Sequence, residues 1–304
     1  MSKHVAVIFG GWSAEREVSL SSGVECIKAL REKGYKVTEI DATRDLAAQL
    51  AAINPKPDVV FNALHGRWGE DGAVQGLLEI MGLPYTHSGV RASSIAMDKM
   101  SAKAIFAEYD IPCARHVWVS RDEIANGTAL PPPYVLKPNN EGSSVGVEIV
   151  LTAEEEQNML AREWTHGDGV MQEEFIPGRE MTLAVKDGKA MEIIEILTGN
   201  HAFYDFESKY VAGGSEHIIP ADIPADLRAK LQDCAEKAYR ALGCRGIARA
   251  DFRYDPAQDR VAILEINTQP GMTPTSLVPD AARYDGYSFG DIVSWMVEDA
   301  SCER

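Results

Sequence analysis

Apolar positions at the front of the chain fall into two periods. "HVAVIFG" is a short continuous apolar run that ends in a Gly-Gly pair. The segment after it sets Leu20, Val24, Ile27 and Leu30 at helical spacing. A second run, "DVVFNALHG", follows a Pro-rich connection and leads into a stretch with Val74, Leu77, Leu78 and Met81 on one helical face. Strands that alternate with helices predict parallel βαβ units. Ligands of such sheets sit at the carboxyl ends of strands. Glu15 and His65 lie just past two of those ends.

The pattern breaks near "PYTHSGVRASS". The helix predicted over "MDKMSAKAIFAEYD" carries Met97, Met100, Ala104 and Ala107 on one face. Beyond it the period becomes that of antiparallel strands. "YVLKP" and "VEIV" flank the glycine-rich turn "NNEGSSVG", and a polar helix precedes "VMQEEFI". "TLAVKDGKAMEIIEI" reads as a hairpin with Asp187-Gly188 at its tip, a strong turn signal. "TGNHAFYDFESKYVAGGSEH" has little periodicity and reads as a long surface loop, the kind that often serves as a lid. An amphipathic helix marked by Leu227, Leu231, Cys234, Ala238 and Leu242 follows, then a last hairpin and a helical tail. The fold class expected is an α/β front followed by α+β.

Composition narrows the partners more than the fold. The chain has 304 residues, 46 acidic against 30 basic, for a net charge of −16. Such a chain repels nucleic acid and anionic membrane unless it carries a local basic patch, and the sequence has no basic cluster. Phosphates would then be held by a few placed cations and backbone N–H groups. Cys26, Cys113, Cys234, Cys244 and Cys302 are scattered without a CxxC pair, which predicts reduced thiols in a cytoplasmic protein rather than disulfides or zinc. "MSKHVAVIFGG" has too short an apolar run for a signal peptide, and no apolar window is long enough to span a bilayer.

The last hairpin carries the first candidate chemistry. In "VAILEINTQPGMTPTSL" strict alternation puts Val261, Ile263, Glu265 and Asn267 on one face and Ala262, Leu264 and Ile266 on the other. A buried charge needs a partner. On the preceding strand Arg249, Asp251 and Arg253 share a face. A roughly symmetric turn puts Asp251 opposite Glu265 and Arg249 opposite Asn267, with opposed Cβ atoms about 5 Å apart. A divalent cation would turn the carboxylate repulsion into attraction. An all-oxygen donor set favours Mg2+ or Mn2+ over zinc. Spacing alone leaves an equal alternative, in which Arg249 neutralises the carboxylates and no metal binds. Pro270-Gly271 makes a tight turn that can bring a backbone N–H close to a ligand.

"YVLKPNNEGSSVG" ends a strand on a lysine and continues as a loop of small residues, whose N–H groups can approach an anion. The lysine precedes the glycines, so this is not a Walker P-loop. Taken in order, "VLKPNNEGSSVG", "RADF" and "LEINTQPGMT" resemble the ATP-grasp ligases. "GGWSAEREVSL", "ALHGRWGEDG", "YTHSGVRASSIAMDK", "YDFESKY" and "SLVPDAAR" narrow the resemblance to the D-alanine–D-alanine ligase family, across nearly the whole chain. The resemblance implies an N-terminal parallel βαβ domain (residues 1–96) and a two-part ATP-grasp fold (97–181 and 182–304). It also implies ATP-dependent joining of two D-alanines through an acyl phosphate, for peptidoglycan precursor synthesis in the cytoplasm. A homodimer through the N-terminal unit is expected as well.

Residue by residue, Asp251, Glu265 and Asn267 match the family's ligands for two Mg2+ or Mn2+ ions, with Glu265 bridging. Lys99 and Lys137 match the lysines on the ATP phosphates, and Ser144 lies in the glycine-rich loop that covers them. Glu173 and Glu180 match the acids of the adenine and ribose region, and the backbone at Glu174 and Ile176 follows the adenine edge. Without the family, Glu173 and Glu180 read as exposed strand carboxylates and Lys99 as a solvated helix residue. Glu15 matches the acid that holds the first substrate's ammonium, and His65 a histidine beside it. Their plain alternatives are a first-turn helix acid and a structural histidine. Arg249 and the Gly271 N–H match an oxyanion hole. Ser276 and Leu277 match the site of the second substrate's carboxylate, or else a helix N-cap and its neighbour. Ser143 and Tyr210 match a hydrogen-bonded set with Glu15, and Tyr204 and Lys209 flank Tyr210 on the lid.

Two positions depart from the pattern. Trp68 replaces a usual Gly in "HGRWGEDG", and Gln269 replaces a usual Ser in "NTQPGMT". They bear on the packing of the first substrate's site and on contacts beside the oxyanion hole. The competing readings are a ligase that joins D-alanine to D-serine or D-lactate, a non-catalytic ATP sensor, and a metal-dependent phosphohydrolase. Tyr210 favours the dipeptide product, because the depsipeptide ligases tend to carry Phe there.

Overall fold

The computed structural model describes residues 2–140, 142, 146–197, 214–273 and 275–303. Strand β1 (His4–Gly10) is the middle of a parallel sheet, between β2 (Lys36–Ala42) and β3 (Val59–Asn62). Its continuous apolar run follows from burial on both faces. Val5 and Val7 pack with the helix Arg16–Glu32, while Ala6 and Ile8 pack with the helices Leu46–Ala51 and Ala73–Met81. The expected parallel βαβ front is therefore present. β2 is an element the periodicity did not reveal. It is an edge strand whose polar residues face water, and only Ile40 and Ala42 are buried.

Two helix faces differ from the spacing argument. In Arg16–Glu32 the buried residues are Val18, Ser19, Ser22, Gly23, Cys26, Ile27, Ala29 and Leu30, while Val24 is 55% exposed. Small residues let the helix lie close on the sheet: a Cβ on Gly23 would sit 2.4 Å from the Cβ of Phe9. The helix predicted from Met97 begins instead at Lys99 and runs to Glu108. It is separated from the helix Val90–Met97 by Asp98, whose carboxylate accepts from the Ser101 N–H at 2.8 Å. It buries Ala102, Lys103 and Phe106, and Ala104 and Ala107 face solvent. The apolar pattern misassigned this face because its central buried residue is a lysine.

The second sheet is antiparallel, in the order β4 (His116–Val119), β7 (Val170–Glu174), β5 (Tyr134–Lys137), β6 (Glu148–Val150). The third runs β10 (Glu216–Ile218), β9 (Lys189–Leu197), β8 (Arg179–Lys186), β11 (Ile247–Asp255), β12 (Arg260–Asn267), again antiparallel. Asp187 and Gly188 turn the β8–β9 hairpin with φ of 50° and 74°, the left-handed pair a two-residue turn requires. The amphipathic helix Ala225–Leu242 covers one face of this sheet with all five residues its spacing marked. The helices Leu277–Tyr284 and Phe289–Asp299 cover Ala184, Met191, Ile194 and Ile196 and also pack with Val5, Val7 and Phe61 of the first sheet. One core thus joins the parallel front to the large antiparallel sheet, and the loop after β12 is set against the end of β3.

Candidate active site

The hairpin β11–β12 pairs Arg249 with Asn267 and Asp251 with Glu265, the register the sequence suggests. The faces are reached differently. Counting from the turn, Asp255 pairs with Arg260 and Phe252 with Ile263, which would bring Leu264 opposite Asp251. A bulge between these pairs leaves Leu264 as an extra residue and shifts the ladder by one. Val261, Ile263 and Ile266 therefore point into the core under the helix Ala225–Leu242, while Glu265 and Asn267 point to the opposite side. The alternation that put Ile263 and Glu265 on one face is corrected by this bulge. It also explains how an apolar strand ends in a carboxylate and an amide without burying them in its own core.

These acids have protein partners. Arg249 makes a two-pronged contact with Asp251, Nε–Oδ1 2.9 Å and Nη2–Oδ2 2.7 Å, and Thr182 Oγ1 donates to the same Oδ1 at 2.6 Å. Lys99 Nζ lies 3.4 Å from Glu265 Oε2. Asn267 Oδ1 accepts from the N–H of Gln269 at 2.9 Å. Among the described residues no group of three or more His, Cys, Asp or Glu side chains is arranged to hold a metal ion. The candidate donor set is instead two opposed carboxylates and one amide oxygen, all hard ligands that suit Mg2+ or Mn2+. On the same face Glu180 pairs with Arg253 at 3.2 Å.

Across from this hairpin, Glu173 lies between two lysines. Lys103 Nζ and Lys137 Nζ each stand 2.5 Å from one of its oxygens. Glu173 is only 1% exposed, not the surface carboxylate that strand position alone suggests. Burial raises its pKa, but the combined pull of Lys103 and Lys137 outweighs that and holds it at about 2. Lys103 also donates to the Ile263 carbonyl at 3.4 Å. Sequence reasoning missed Lys103. Its one signal is a lysine on the helical face shared by Ala102 and Phe106. The Lys99 N–H donates to the Asn139 carbonyl at 3.1 Å and the Met100 N–H to Asn139 Oδ1 at 2.9 Å, which ties the helix start to the loop after Lys137. The next residue, Glu174, is clamped by Arg260 at 2.7 and 2.8 Å, and its N–H donates to the Arg115 carbonyl at 2.8 Å. The Ile176 carbonyl accepts from Arg253 Nε at 3.1 Å.

Glu15 sits at the N-cap of the helix Arg16–Glu32 but does not cap it with its side chain. Its carboxylate is buried between two glycines: a Cβ on either Gly66 or Gly142 would come within 2.9 Å of Oε1. Gly66 has φ of +70°, so a side chain there would be strained as well as crowded. His65 is held at both ring nitrogens, Nδ1 3.0 Å from Glu70 Oε1 and Nε2 3.0 Å from Ser22 Oγ. Ser22 Oγ in turn accepts from the Met272 N–H at 3.4 Å, so the histidine is linked to the residue after Gly271. Ser276 occupies the N-cap of Leu277–Tyr284, yet its hydroxyl makes no bond to that helix. It lies 2.8 Å from Thr273 Oγ1 and accepts from the Thr273 N–H at 3.1 Å. A Cβ on Gly271 would be 3.0 Å from Ser276 Oγ, and Leu277 is buried. Trp68 takes φ of 76°, a conformation that favours glycine, with its ring under the Arg67 guanidinium at 4.6 Å.

The structure brings Glu15, His65, Gly271 and Ser276 together at one end of the site. Of the others, Lys99 meets Glu265, Lys137 meets the buried Glu173, Arg249 meets Asp251 and pairs across the hairpin with Asn267, and Glu180 meets Arg253. Ser143, Ser144, Tyr204, Lys209 and Tyr210 lie outside the described residues, as does most of the expected lid over 198–217; at its end Glu216 and His217 are not loop but part of β10, paired with Leu197 and Ile196 of β9. The participants the sequence did not announce are Ser22, Glu70, Lys103, Asn139, Thr182 and Arg260.

Comparison with known proteins finds relatives along nearly the whole chain. The family descriptions "D-ala D-ala ligase N-terminus" and "D-ala D-ala ligase C-terminus" match residues 46–88 and 105–298. The chain is 57% identical to the D-alanine–D-alanine ligase of Parvibaculum lavamentivorans over all of this chain and 99% of that one. The solved D-alanine–D-alanine ligase of Bacillus anthracis complexed with ATP is 32% identical, with a TM-score of 0.81 over 98% of this chain and 97% of that one. The VanG D-Ala:D-Ser ligase of Enterococcus faecalis is 28% identical, with a TM-score of 0.82 over 98% of this chain and 99% of that one. Full-length identity, matched folds and the paired hairpin acids lead to one assignment: the chain belongs to the D-alanine–D-alanine ligase family.

Proposed function

We propose that this chain joins two D-alanine molecules to D-alanyl-D-alanine at the expense of ATP, through an acyl phosphate, to supply a peptidoglycan precursor in the cytoplasm. The observation that carries the reading is the cross-strand pair Asp251–Glu265 beside Arg249 and Lys99, in a chain of this family. Asp251, Glu265 and Asn267 would hold two Mg2+ or Mn2+ ions. Such ions neutralise charge on the transferring phosphate.

The chain's own groups divide the remaining work. Lys99 and Lys137 grip phosphate oxygens. Lys103 offsets the buried Glu173, so that Lys137 keeps a net positive charge toward the nucleotide. Glu173 and Glu180, with the backbone at Glu174 and Ile176, frame the adenosine, and Ser144, Tyr204 and Lys209 close over it. Glu15 binds the ammonium of the first D-alanine in its glycine-walled slot, with His65 beside it and Ser143 and Tyr210 completing the set. Arg249 and the Gly271 N–H stabilise the oxyanion when the second amine attacks. The second substrate's carboxylate rests at Ser276 and Leu277. A closed lid protects the acyl phosphate from water. We also propose three units, with the divisions expected at 96/97 and 181/182 set at 97/98 and 178/179 so that neither the helix Val90–Met97 nor β8 is cut, and a homodimer through the N-terminal unit.

The resemblance in fold to a D-Ala:D-Ser ligase makes D-serine or D-lactate the rival second substrate. An assay with ATP, Mg2+ and a mixture of D-alanine, D-serine and D-lactate, with product identification, separates the readings. D-alanyl-D-alanine is expected to dominate. A predominant mixed product, or phosphate release that needs no amino acid, overturns the proposal.

A further inference from the structure

Gln269, one of the two departures from the family pattern, lies between Asn267 and Gly271 and is 1% exposed. A glutamine this buried must satisfy both ends of its amide, and it does so on another part of the molecule. Its Oε1 accepts from Asn62 Nδ2 at 2.8 Å, and its Nε2 donates to the Leu64 carbonyl. Asn62, at the end of β3, is fully buried and saturated. Its Nδ2 also donates to the Gly69 carbonyl at 3.0 Å, and its Oδ1 accepts from the Leu64 N–H at 3.1 Å. Gln75 Nε2 holds the same Gly69 carbonyl at 2.8 Å. Back along its own loop, the Gln269 N–H is received by Asn267 Oδ1.

The network joins two half-sites from different sheets. Leu64 precedes His65, and Gly69 precedes Glu70, the partner of His65. Asn267 and Gly271 flank Gln269. A side chain one methylene shorter would draw the amide back from Asn62, whose Nδ2 stands 2.8 Å from Gln269 Oε1. Resting on the ligase reading above, we infer that Gln269, through Asn62 and Leu64, is a positioning residue. It sets the Gly271 oxyanion donor at a fixed distance from the wall that holds the first D-alanine.

The chemical consequence concerns partition. In ligation the second D-alanine's amine attacks the acyl carbon, the C–N bond forms, the C–O bond to phosphate breaks, phosphate leaves, and the amine proton passes to solvent. If the two walls shift apart, water attacks the same carbon instead and returns D-alanine and phosphate. ATP is then hydrolysed without dipeptide. Geometry errors of about 1 Å at such sites cost on the order of a hundredfold in rate.

The test is the ratio of phosphate to dipeptide in Gln269→Met, which keeps length and bulk, in Asn62→Leu, and in the double variant, all with Mg2+, ATP and D-alanine. Wild type is expected to give one phosphate per dipeptide; if it makes no dipeptide, the ligase reading fails and not this inference. Each single variant is expected to raise the ratio at least threefold and the D-alanine KM about tenfold, with the ATP KM within twofold of wild type. The double variant should be no worse than the worse single one. The ratio is internal to active molecules, so partial unfolding does not move it. Should Gln269→Met fail to fold, Gln269→Asn, which keeps a buried amide but shortens it, is read in the same way. A ratio that stays at one while rates fall, or effects of the two sites that simply add, overturns the inference.

Discussion

At the scale of single residues, charge compensation decides which groups are available to a substrate. Glu173 is buried, and its charge is tolerated because Lys103 and Lys137 flank it. Removing one partner from a buried ion pair costs about 3–5 kcal/mol. Lys103→Met should therefore lose stability of that order in urea unfolding, and Lys103→Met with Glu173→Gln should recover most of it. The same group fixes a pH dependence. Its folded pKa of about 2 lies below its ordinary value of 4.5, so its stabilisation is complete above about pH 4.5 and is lost as pH falls toward 2. Acid unfolding of Glu173→Gln should show a flatter slope across that window than the wild type. At the reacting centre, loss of one oxyanion donor commonly lowers kcat by about 10²–10³. Arg249→Met is expected to do so with the fold intact by circular dichroism. Asp251→Ala and Glu265→Ala should abolish turnover, and retained activity of either at saturating Mg2+ counts against the metal assignment.

At the scale of elements, the start of the helix Lys99–Glu108 is the piece most exposed to a small change. Asp98 caps it, and Asn139 holds its first N–H groups against the loop that follows Lys137. Asp98→Ala removes a cap worth about 1 kcal/mol. It should also raise the ATP KM severalfold, because Lys99 loses its fixed origin; an unchanged KM alongside the stability loss would separate the two effects. The β12 bulge belongs to this scale as well. The acids and their pairing were legible, since Arg249, Asp251, Glu265 and Asn267 stand at countable positions in two strands. The bulge was not, because strict alternation offers no sign of the residue that will be skipped.

At the scale of the molecule, the site exists only where three sheets meet. The proposed ions and the proposed lid would act on the whole. Chelation of divalent cations should abolish phosphate release, and its restoration should need Mg2+ and D-alanine together. Tyr210→Phe should raise the depsipeptide share when D-lactate competes with D-alanine; an unchanged product ratio across pH would remove Tyr210 from that role. No helix among the described residues is long and apolar enough to cross a membrane.

The sequence by itself determined the chemistry on offer and most of the local architecture. The parallel front, the Asp187-Gly188 hairpin and the buried face of Ala225–Leu242 follow from short-range spacing, which periodicity reports directly; the Asp251–Glu265 pairing also needed the bulge at Leu264. Tertiary structure alone decided the edge strand β2, the exposure of Val24 and the burial of Lys103. It also decided that Gln269 reaches Asn62 and Leu64. Each of these depends on what lies opposite in space: water beside an edge strand, a close sheet beneath a small-residue helix face, a carboxylate waiting for a lysine, a carbonyl just past the end of another sheet's strand. Burial and partnership are properties of pairs far apart in the chain, and a pattern read along it cannot name the second member.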